Sequence, residues 1–230
     1  MNRPLVVGLV HTVPALAGTF EQLLTAAAPT VRTIHVADAW LLRTAIDTGV
    51  DERVHERVAE HAAHLAGSGA RAVLLTCSSI GETAAGAAER AGLPVVRVDE
   101  PMAHDAVDLA VAAGRAAGRP GRVAVLATLS STLGPTGRLV DDAVTRSGAR
   151  VTVTATVVEG AAAARAAGDH AGHDARVRAA VARCAEESDV VVLAQASMAA
   201  ALDGDTDGTP VLSSPSGGVG ALLEAARGAP

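Results

Sequence analysis

Short apolar runs recur along the whole chain, and each is followed by a polar or glycine-containing segment and then by a stretch with helical periodicity. Runs such as residues 73–75 are continuously apolar, which is typical of strands covered on both faces of a parallel sheet. Between the runs, apolar residues recur at helical spacing, as at Val54, Val58 and Leu65. The pattern therefore predicts an α/β fold. The predicted strands are 5–10, 32–36, 73–75, 94–98, 122–127, 150–158, 189–194 and 211–212, and the predicted helices include 20–28, 38–48, 51–66, 82–92, 102–118, 174–187 and 219–227.

The second part of the chain repeats the pattern of the first. Residues 72–80 overlay on residues 190–198 with a constant offset, so that Cys77 falls on Gln195. The same comparison matches His11-Thr12 to Thr128-Leu129. A repeat of this length indicates a duplicated supersecondary unit.

The duplication predicts two pseudo-symmetric, doubly wound parallel-sheet domains with the active site in the cleft between them. We expect residues 1–100 plus 211–230 to form the first domain, which carries Cys77. Residues 101–210 then form the second domain, which carries Gln195. Open α/β sheets bind ligands at the carboxyl ends of their strands, so side chains at those ends are the candidates for chemistry.

Cys77 is the first of these candidates, because it follows a buried strand directly. A helix amino terminus after it favours a thiolate, as needed for an acid/base group or a nucleophile. The alternative is a small buried hydrophobe that ends a strand. The residue types alone leave both interpretations open.

Three further strand ends carry candidate bases. His11 ends the first strand, and an imidazole titrates near neutral pH. Asp99, followed by Glu100, and Glu159 end later strands. Each carboxylate can instead cap the helix that follows it. We include His11, Asp99 and Glu159 with Cys77 as catalytic candidates.

Hydroxyl and amide side chains cluster at the same strand ends. Such groups, together with backbone N–H groups at helix amino termini, bind carboxylate or phosphate without lysine. Each hydroxyl alone is also a typical helix cap. Together they predict a site for a small carboxylate substrate, with or without a phosphate group. The candidates are Thr12, Ser78, Ser79, Thr128, Ser131, Thr132, Gln195, Ser197 and Ser213, with Ser130 and Ser214 as neighbours.

Composition narrows the function classes. All 19 basic residues are arginines, which excludes an internal Schiff base and a P-loop lysine. With one Phe, one Trp, no Tyr and a net charge of −6, we expect no nucleic-acid partner. No apolar run reaches the ~20 residues of a membrane helix. Two distant cysteines favour a reducing cytoplasm. We expect no metal site, and we interpret His55, His61 and His64 as a solvated helix face.

The strand-end motifs together resemble those of the aspartate/glutamate racemase superfamily, which includes hydantoin racemases, maleate isomerase and arylmalonate decarboxylase. Thr76-Cys77-Ser78-Ser79 resembles the first-half cysteine motif, and residues 123–128 followed by Ser131-Thr132 resemble the start of the second half. Residues 189–195 resemble the strand that normally delivers a second cysteine. The resemblance covers nearly the whole chain.

The resemblance implies proton transfer between two cysteines and the α-carbon of a carboxylate, without metal or organic cofactor. This chain has Gln195 where the second thiol is expected, and Cys184 shares a helix face with Val177 and Val181, as expected for core packing. We therefore expect a racemase- or isomerase-type enzyme with a single cysteine. The alternatives are a decarboxylase or C–C lyase in which Cys77 protonates an enediolate, and a non-catalytic binder of small anions. We expect a cytoplasmic homo-oligomer.

Overall fold

The computed structural model describes residues 4–202 and 208–229, which form two compact units. The first half of the molecule consists of the described residues up to Asp99 together with those from Pro215 onward. The second half is the continuous segment Glu100–Ser214. Each half contains a four-stranded parallel sheet with flanking helices, which confirms the predicted α/β class.

The first half is built on a sheet with the strand order β2-β1-β3-β4. Its strands are β1 (Val6–His11), β2 (Arg32–Ala37), β3 (Val73–Leu75) and β4 (Val95–Arg97). Its helices are α1 (Leu16–Ala27), α2 (Ala39–Asp47), α3 (Glu52–Gly67), a 3₁₀ helix (Ser78–Thr83), α4 (Ala84–Ala91) and, from the end of the chain, α10 (Pro215–Gly228).

The second half repeats this order as β6-β5-β7-β8. Its strands are β5 (Gly121–Ala127), β6 (Val151–Val157), β7 (Val190–Leu193) and β8 (Val211–Ser213). Its helices are α5 (Glu100–Ala116), α6 (Ser130–Ser147), α7 (Ala161–Ala166), α8 (His170–Glu187) and α9 (Ala196–Ala199).

Apolar residues on both faces of each sheet explain the continuous apolar runs. Along β3, Val73 and Leu75 pack into one core with α3, whereas Leu74 packs into another with α1 and α10. All three side chains are fully buried. Burial of a side chain of this size stabilises the fold by about 1.5–3 kcal/mol, so the helices are held by both faces of the strand.

Sheet register corrects the overlay of the two halves by one residue at the first strands. Val10 lies beside Leu75, and Leu126 lies beside Leu193. Thr12 is therefore the counterpart of Thr128, and His11 corresponds to Ala127. The match of Cys77 with Gln195 is unchanged, because each lies two residues beyond the paired leucine of its own strand.

The end of the second half also differs from the predicted boundary. Residues 211–213 were expected in the first domain, but they form β8 and pair with β7. The return to the first half begins at Pro215 with α10. Helix α10 includes Gly218, whose missing side chain leaves room for Val98, since a Cβ there would lie 2.8 Å from Val98 Cγ2.

Two helical segments depart from the predicted pattern. Helix α8 begins at His170 instead of residue 174, because the Asp169 carboxylate accepts a hydrogen bond from the Gly172 N–H and caps it. Helix α7, at Ala161–Ala166, was not predicted. Within the described ranges, no helix combines the length and apolarity needed to cross a membrane.

Candidate active site

Cys77 lies where β3 ends and the Ser78–Thr83 3₁₀ helix begins, in extended conformation with φ −135° and ψ 120°. The side chain is partly exposed and packs against the α3 side of the core. The helix predicted at residues 82–92 is present as α4, but it begins at Ala84, because a 3₁₀ helix that was not predicted precedes it. The turn brings the N–H groups of the next residues towards the sulfur.

The surroundings of the Cys77 thiol change its pKa in two opposite directions. Burial raises the pKa and is the largest effect. The Thr12 hydroxyl, the Ser79 N–H and hydroxyl, and the Ile80 N–H lower it. Because the net shift is upward, the thiol is protonated at neutral pH, contrary to the expected thiolate. The donors around it are suited to stabilise a thiolate formed during a reaction.

Thr12 is the most informative of these donors. It is buried, with 2% of its surface exposed, and its Oγ1 makes no geometrically satisfactory hydrogen bond among the described residues. It lies close enough to Cys77 to lower the pKa of the thiol. A buried hydroxyl without an acceptor is costly, so a ligand or a thiolate that accepts its hydrogen is favoured.

His11 belongs to a chain of hydrogen bonds that runs from the interior to the surface. Its Nδ1 lies 2.9 Å from Thr76 Oγ1, and its Nε2 lies 2.8 Å from His35 Nδ1. His35 Nε2 lies 3.0 Å from Glu21 Oε2, which also accepts from Thr33 Oγ1 at 2.7 Å. The Thr76 hydroxyl donates to Val10 O at 3.1 Å, so it links the ends of β1 and β3.

The electrostatics of His11 do not favour the role of a proton carrier at neutral pH. Burial, with a smaller contribution from His35, lowers the pKa of His11 to about 4. Both of its ring nitrogens already have partners. We interpret His11 as a neutral group that fixes the carboxyl ends of β1, β2 and β3 relative to one another.

Asp99 is engaged in a buried ion pair. Its two carboxylate oxygens accept from Arg97 Nε and Nη2, each at 3.0 Å, and the residue is fully buried. The guanidinium packs on the backbone of Gly81, where a Cβ would lie 2.7 Å from Nε. The predicted base is therefore paired with a cation that sequence reasoning missed, and that cation lies against the 3₁₀ helix after Cys77.

Gln195 occupies the position in the second half that Cys77 occupies in the first. Its backbone has φ −130° and ψ 129°, and it precedes α9. Its Oε1 accepts from the backbone N–H of Thr128 at 2.6 Å and from the Thr128 hydroxyl at 2.8 Å. Thr128 thus lies beside Gln195 as Thr12 lies beside Cys77, but Thr128 makes two hydrogen bonds to its neighbour. The Nε2 hydrogens of Gln195 are the donors left for another group.

The remaining predicted substrate-binding residues are found in both halves of the molecule. In the first half, Ser78 and Ser79 are buried beside the thiol. In the second half, Ser131 has a buried Oγ without a partner among the described residues, and Thr132 is buried. Ser197 and Ser213 are partly exposed, at α9 and at the end of β8.

Glu159 lies apart from the other candidates of its half. It is exposed and lines a groove of about 1100 Å³ between β6 and α8, together with Arg176 and Cys184. Cys184 packs against the core behind this groove, in line with its predicted packing role. Among the described residues, no hydrogen bond joins the Glu159 side chain to Gln195 or Thr128.

Sequence reasoning also missed a charged cluster at the end of β2. The Asp38 carboxylate accepts from Trp40 N, Arg57 Nε and His61 Nε2, the last at 2.8 Å. Burial raises the pKa of Asp38, but the hydrogen bonds from Arg57 and His61 outweigh it, so the net shift is downward. His61 is therefore not part of a solvated face. An Asp after a strand, with Arg57 and His61 one helical turn apart, is the signal that points to it.

The searched part of the chain contains no group of three or more His, Cys, Asp or Glu side chains placed to hold a metal ion. The structure thus has two α/β units with the same strand order, and a thiol follows the third strand of the first unit. A profile of the Asp/Glu/Hydantoin racemase family matches residues 10–222. This chain belongs to that family.

Solved structures of racemase-family proteins share the fold. An aspartate racemase homologue from Pyrococcus horikoshii superposes with a TM-score of 0.70 at 13% identity, over 97% of this chain and 99% of that one. Allantoin racemase from Klebsiella pneumoniae gives 0.67 at 18% identity, over 96% and 86%. Arylmalonate decarboxylase gives 0.58 at 18% identity, over 98% and 94%. A search of curated protein sequences finds no match.

Within the racemase family, the local contacts give the two thiol-bearing strand positions different chemistry in this chain. The first-half position holds a thiol among hydrogen-bond donors. The second-half position holds an amide whose oxygen is already bound by Thr128. Of the two positions, only the first therefore holds a titratable side chain.

Proposed function

We propose that this racemase-family chain is a cofactor-independent enzyme that transfers a proton at the carbon next to a carboxylate of a small polar substrate, with Cys77 as the reacting group. The observation that carries the proposal is the Cys77 site itself. A cysteine of intermediate exposure, a buried Thr12 hydroxyl without an acceptor and two backbone N–H groups meet at one strand end.

The direction of the pKa shift supports proton donation. Because burial raises the pKa of Cys77, the resting group is a thiol that can give its hydrogen to a carbanionic carbon. The S–H bond breaks as the C–H bond forms, and the negative charge moves to sulfur. Hydrogen bonds from Thr12, Ser79 and Ile80 then stabilise the thiolate, so they act on the charge that develops during the step.

We assign the substrate carboxylate to hydroxyl and N–H donors, because the Arg97 guanidinium beside the 3₁₀ helix is already paired with Asp99. Thr12 in the first half, and Ser131 in the second, each have a buried hydroxyl without a partner among the described residues. The Gln195 amide nitrogen adds donors beside Thr128. The location of the reaction in a cleft between the halves, and in the cytoplasm, stays a prediction.

A decarboxylase or C–C lyase is the second candidate, and the Gln195 position favours it. Racemisation needs a proton acceptor on one face of the carbon and a donor on the other. An amide fixed by two hydrogen bonds from Thr128 supplies neither at a useful pKa. Loss of CO2 followed by protonation from Cys77 needs one such group only, and arylmalonate decarboxylase shares the fold.

Incubation of candidate amino acids, hydantoins, maleate and arylmalonates in D2O tests the proposal. Incorporation of deuterium at the α-carbon, optical rotation and CO2 release are followed together for the native protein and for Cys77→Ala. Removal of the reacting thiol is expected to slow the reaction by about 10³-fold. Cys184→Ala is the matched control and is expected to react at the native rate.

The outcomes of this experiment distinguish the candidate functions. Deuterium incorporation with inversion indicates a racemase, and CO2 release with a deuterated product indicates a decarboxylase. Geometric conversion of maleate indicates an isomerase. Turnover that survives Cys77→Ala contradicts the assignment of Cys77. Saturable binding of a carboxylate without any turnover contradicts the enzyme proposal and indicates a small-anion binder.

A further inference from the structure

Strand β6 is an edge strand of unusual composition. Within the described residues it pairs with β5 alone. Its sequence, VTVTATV, has no charged residue, proline or glycine. Among edge strands, β4 and β8 are only three residues long, and β2 contains Arg32 and the hydrogen-bonded His35. Short strands and charges prevent edge-to-edge pairing, and β6 has neither protection.

The hydrogen bonds to β5 show which backbone groups of β6 are free to pair. Arg150 O accepts from Gly121 N at 3.0 Å, and Val158 N donates to Ala127 O at 2.8 Å. Even-numbered residues therefore point their N–H and C=O groups towards β5. The N–H and C=O groups of the alternate residues face the open edge, and these residues are Val151, Val153, Ala155 and Val157.

The side chains of β6 are self-complementary across a two-fold axis. Thr152, Thr154 and Thr156 are exposed and line the groove towards α8. In an antiparallel pair centred on Thr154, Thr152 of one copy faces Thr156 of the other, and Thr154 faces itself. Threonine pairs of this kind stabilise antiparallel strands.

Charge supports the same arrangement. Arg150 precedes the strand and Glu159 follows it, and both are exposed. Neither side chain forms an ion pair or hydrogen bond with the residues that the structure describes. An antiparallel pair centred on Thr154 places each Arg150 beside the partner's Val158 and next to its Glu159. The strand thus carries opposite charges at its ends, which attract when two copies run in opposite directions.

We propose that β6 is an interface at which a second copy of this chain pairs antiparallel, joining two four-stranded sheets into one of eight strands. The contact is isologous, because the same strand is used by both copies. The proposal does not depend on the proposed function. It commits to a register, with Thr154 at the two-fold axis. Like charges placed at two paired positions are therefore expected to weaken the contact, and opposite charges to maintain it.

A charge-swap experiment tests the interface and its register. Sedimentation equilibrium from about 1 to 100 μM, where weak association is resolved, is expected to show a dimer of the native protein. Thr152→Lys with Thr156→Lys places like charges opposite each other and is expected to weaken association at least tenfold. Thr152→Lys with Thr156→Glu places Lys opposite Glu and is expected to retain the dimer, with greater sensitivity to salt.

Both double variants change the same two exposed positions, and circular dichroism with thermal unfolding verifies that each is folded. A second measurement uses Thr154→Cys in a Cys184→Ser background. Directly opposed residues of a non-hydrogen-bonded pair are close enough for a disulfide, so oxidation is expected to give a covalent dimer. Ala155→Cys, whose side chain lies on the other face, is expected to crosslink far less.

A native protein that is monomeric over the whole concentration range overturns the proposal. So does a dimer that responds equally to the two double variants, because that result places the contact elsewhere. A dimer that crosslinks through Ala155→Cys and not through Thr154→Cys overturns the register.

Discussion

At corresponding strand ends, the first half holds His11, Cys77 and Arg97, and the second half holds Ala127, Gln195 and Ser213. The backbones at Cys77 and Gln195 are nearly identical, with φ −135° and ψ 120° against φ −130° and ψ 129°. The duplicated scaffold has therefore kept its geometry while only one copy carries titratable groups at these positions.

The difference teaches that the position of a side chain and its chemistry are separable in this fold. Sheet register fixes where the residue after the third strand lies, and a threonine lies beside it in each half, Thr12 in the first and Thr128 in the second. The type of residue at that point then decides whether the half carries a titratable group there or an amide. Variants that exchange chemistry between the halves sharpen or break this comparison.

The largest effect is expected for Gly81→Ala. The added methyl would lie 2.7 Å from Arg97 Nε and 2.8 Å from Cζ, so the guanidinium has to shift, which strains its two hydrogen bonds to the buried Asp99 carboxylate. Complete loss of a buried ion pair typically costs about 3–5 kcal/mol of unfolding free energy, which is the upper limit for this variant. Urea denaturation followed by circular dichroism measures the loss.

The second half provides the control for this substitution, because its corresponding residues are Ala199 and Ser213. A Cβ is therefore compatible with a short side chain in place of Arg97. In a background with Arg97→Ser and Asp99→Asn, Gly81→Ala is expected to cost far less. Equal costs in the two backgrounds contradict the assigned steric conflict.

The second largest effect is expected for acidification, which lowers the unfolding free energy through His11. Because burial lowers the pKa of His11 from 6.5 to about 4, the unfolded chain binds a proton that the folded chain refuses. The stabilisation is complete above about pH 6.5 and is lost as the pH falls towards 4, by about 3 kcal/mol at most. Unfolding free energies measured across this range show the slope.

His11→Asn is the variant that tests the origin of this slope, since an amide keeps hydrogen-bonding groups and does not titrate. It is expected to be less stable than the native protein at neutral pH and to lose less stability on acidification. A slope unchanged by His11→Asn assigns the acid sensitivity to another group.

The smallest effects are expected at the matched threonines. Thr128→Val removes one of two hydrogen bonds to Gln195 and is expected to cost about 1 kcal/mol of unfolding free energy. Thr12→Val removes a buried hydroxyl that lacks an acceptor, so it is expected to leave stability unchanged or to increase it. Thermal unfolding distinguishes the two.

Thr12→Val is nevertheless expected to change the thiol. Without the Thr12 hydroxyl, which lowers the pKa of Cys77, the pKa rises further above its ordinary value. The rate of iodoacetamide alkylation, measured against pH in a Cys184→Ser background, is expected to rise at a higher pH than in the unsubstituted Thr12 protein. An unchanged profile contradicts the contact between Thr12 and the sulfur.

The strands were predictable from the sequence, because full burial on both faces leaves a continuous apolar run such as Val73–Leu75. The pairing of Cys77 with Gln195 was predictable for the same reason. The sequence overlay was wrong by one residue at His11, because the residues that follow the first strands have no apolar pattern that fixes their alignment. The pairing of the strands in the sheets determines that alignment.

The contacts that determine the chemistry were not predictable. His11 and His35 meet because β1 and β2 pair in register, and the Arg97 guanidinium meets Gly81 of the 3₁₀ helix from the end of β4. Such contacts join residues far apart in the chain and leave no periodic pattern. Burial likewise reversed the expected pKa shift of Cys77, because desolvation outweighs the hydrogen-bond donors of the turn.

Helix α10 has a consequence for how the molecule is made. It buries Val219, Leu222 and Leu223 in the same core as Phe20 and Leu24, so the first half is completed by residues that are synthesised after the whole second half. The second half is continuous in the chain and has all its described elements before α10 is synthesised. Domains usually fold in the order of their synthesis. Here the second half can fold first, because part of the apolar surface of the first half stays uncovered until α10 is synthesised.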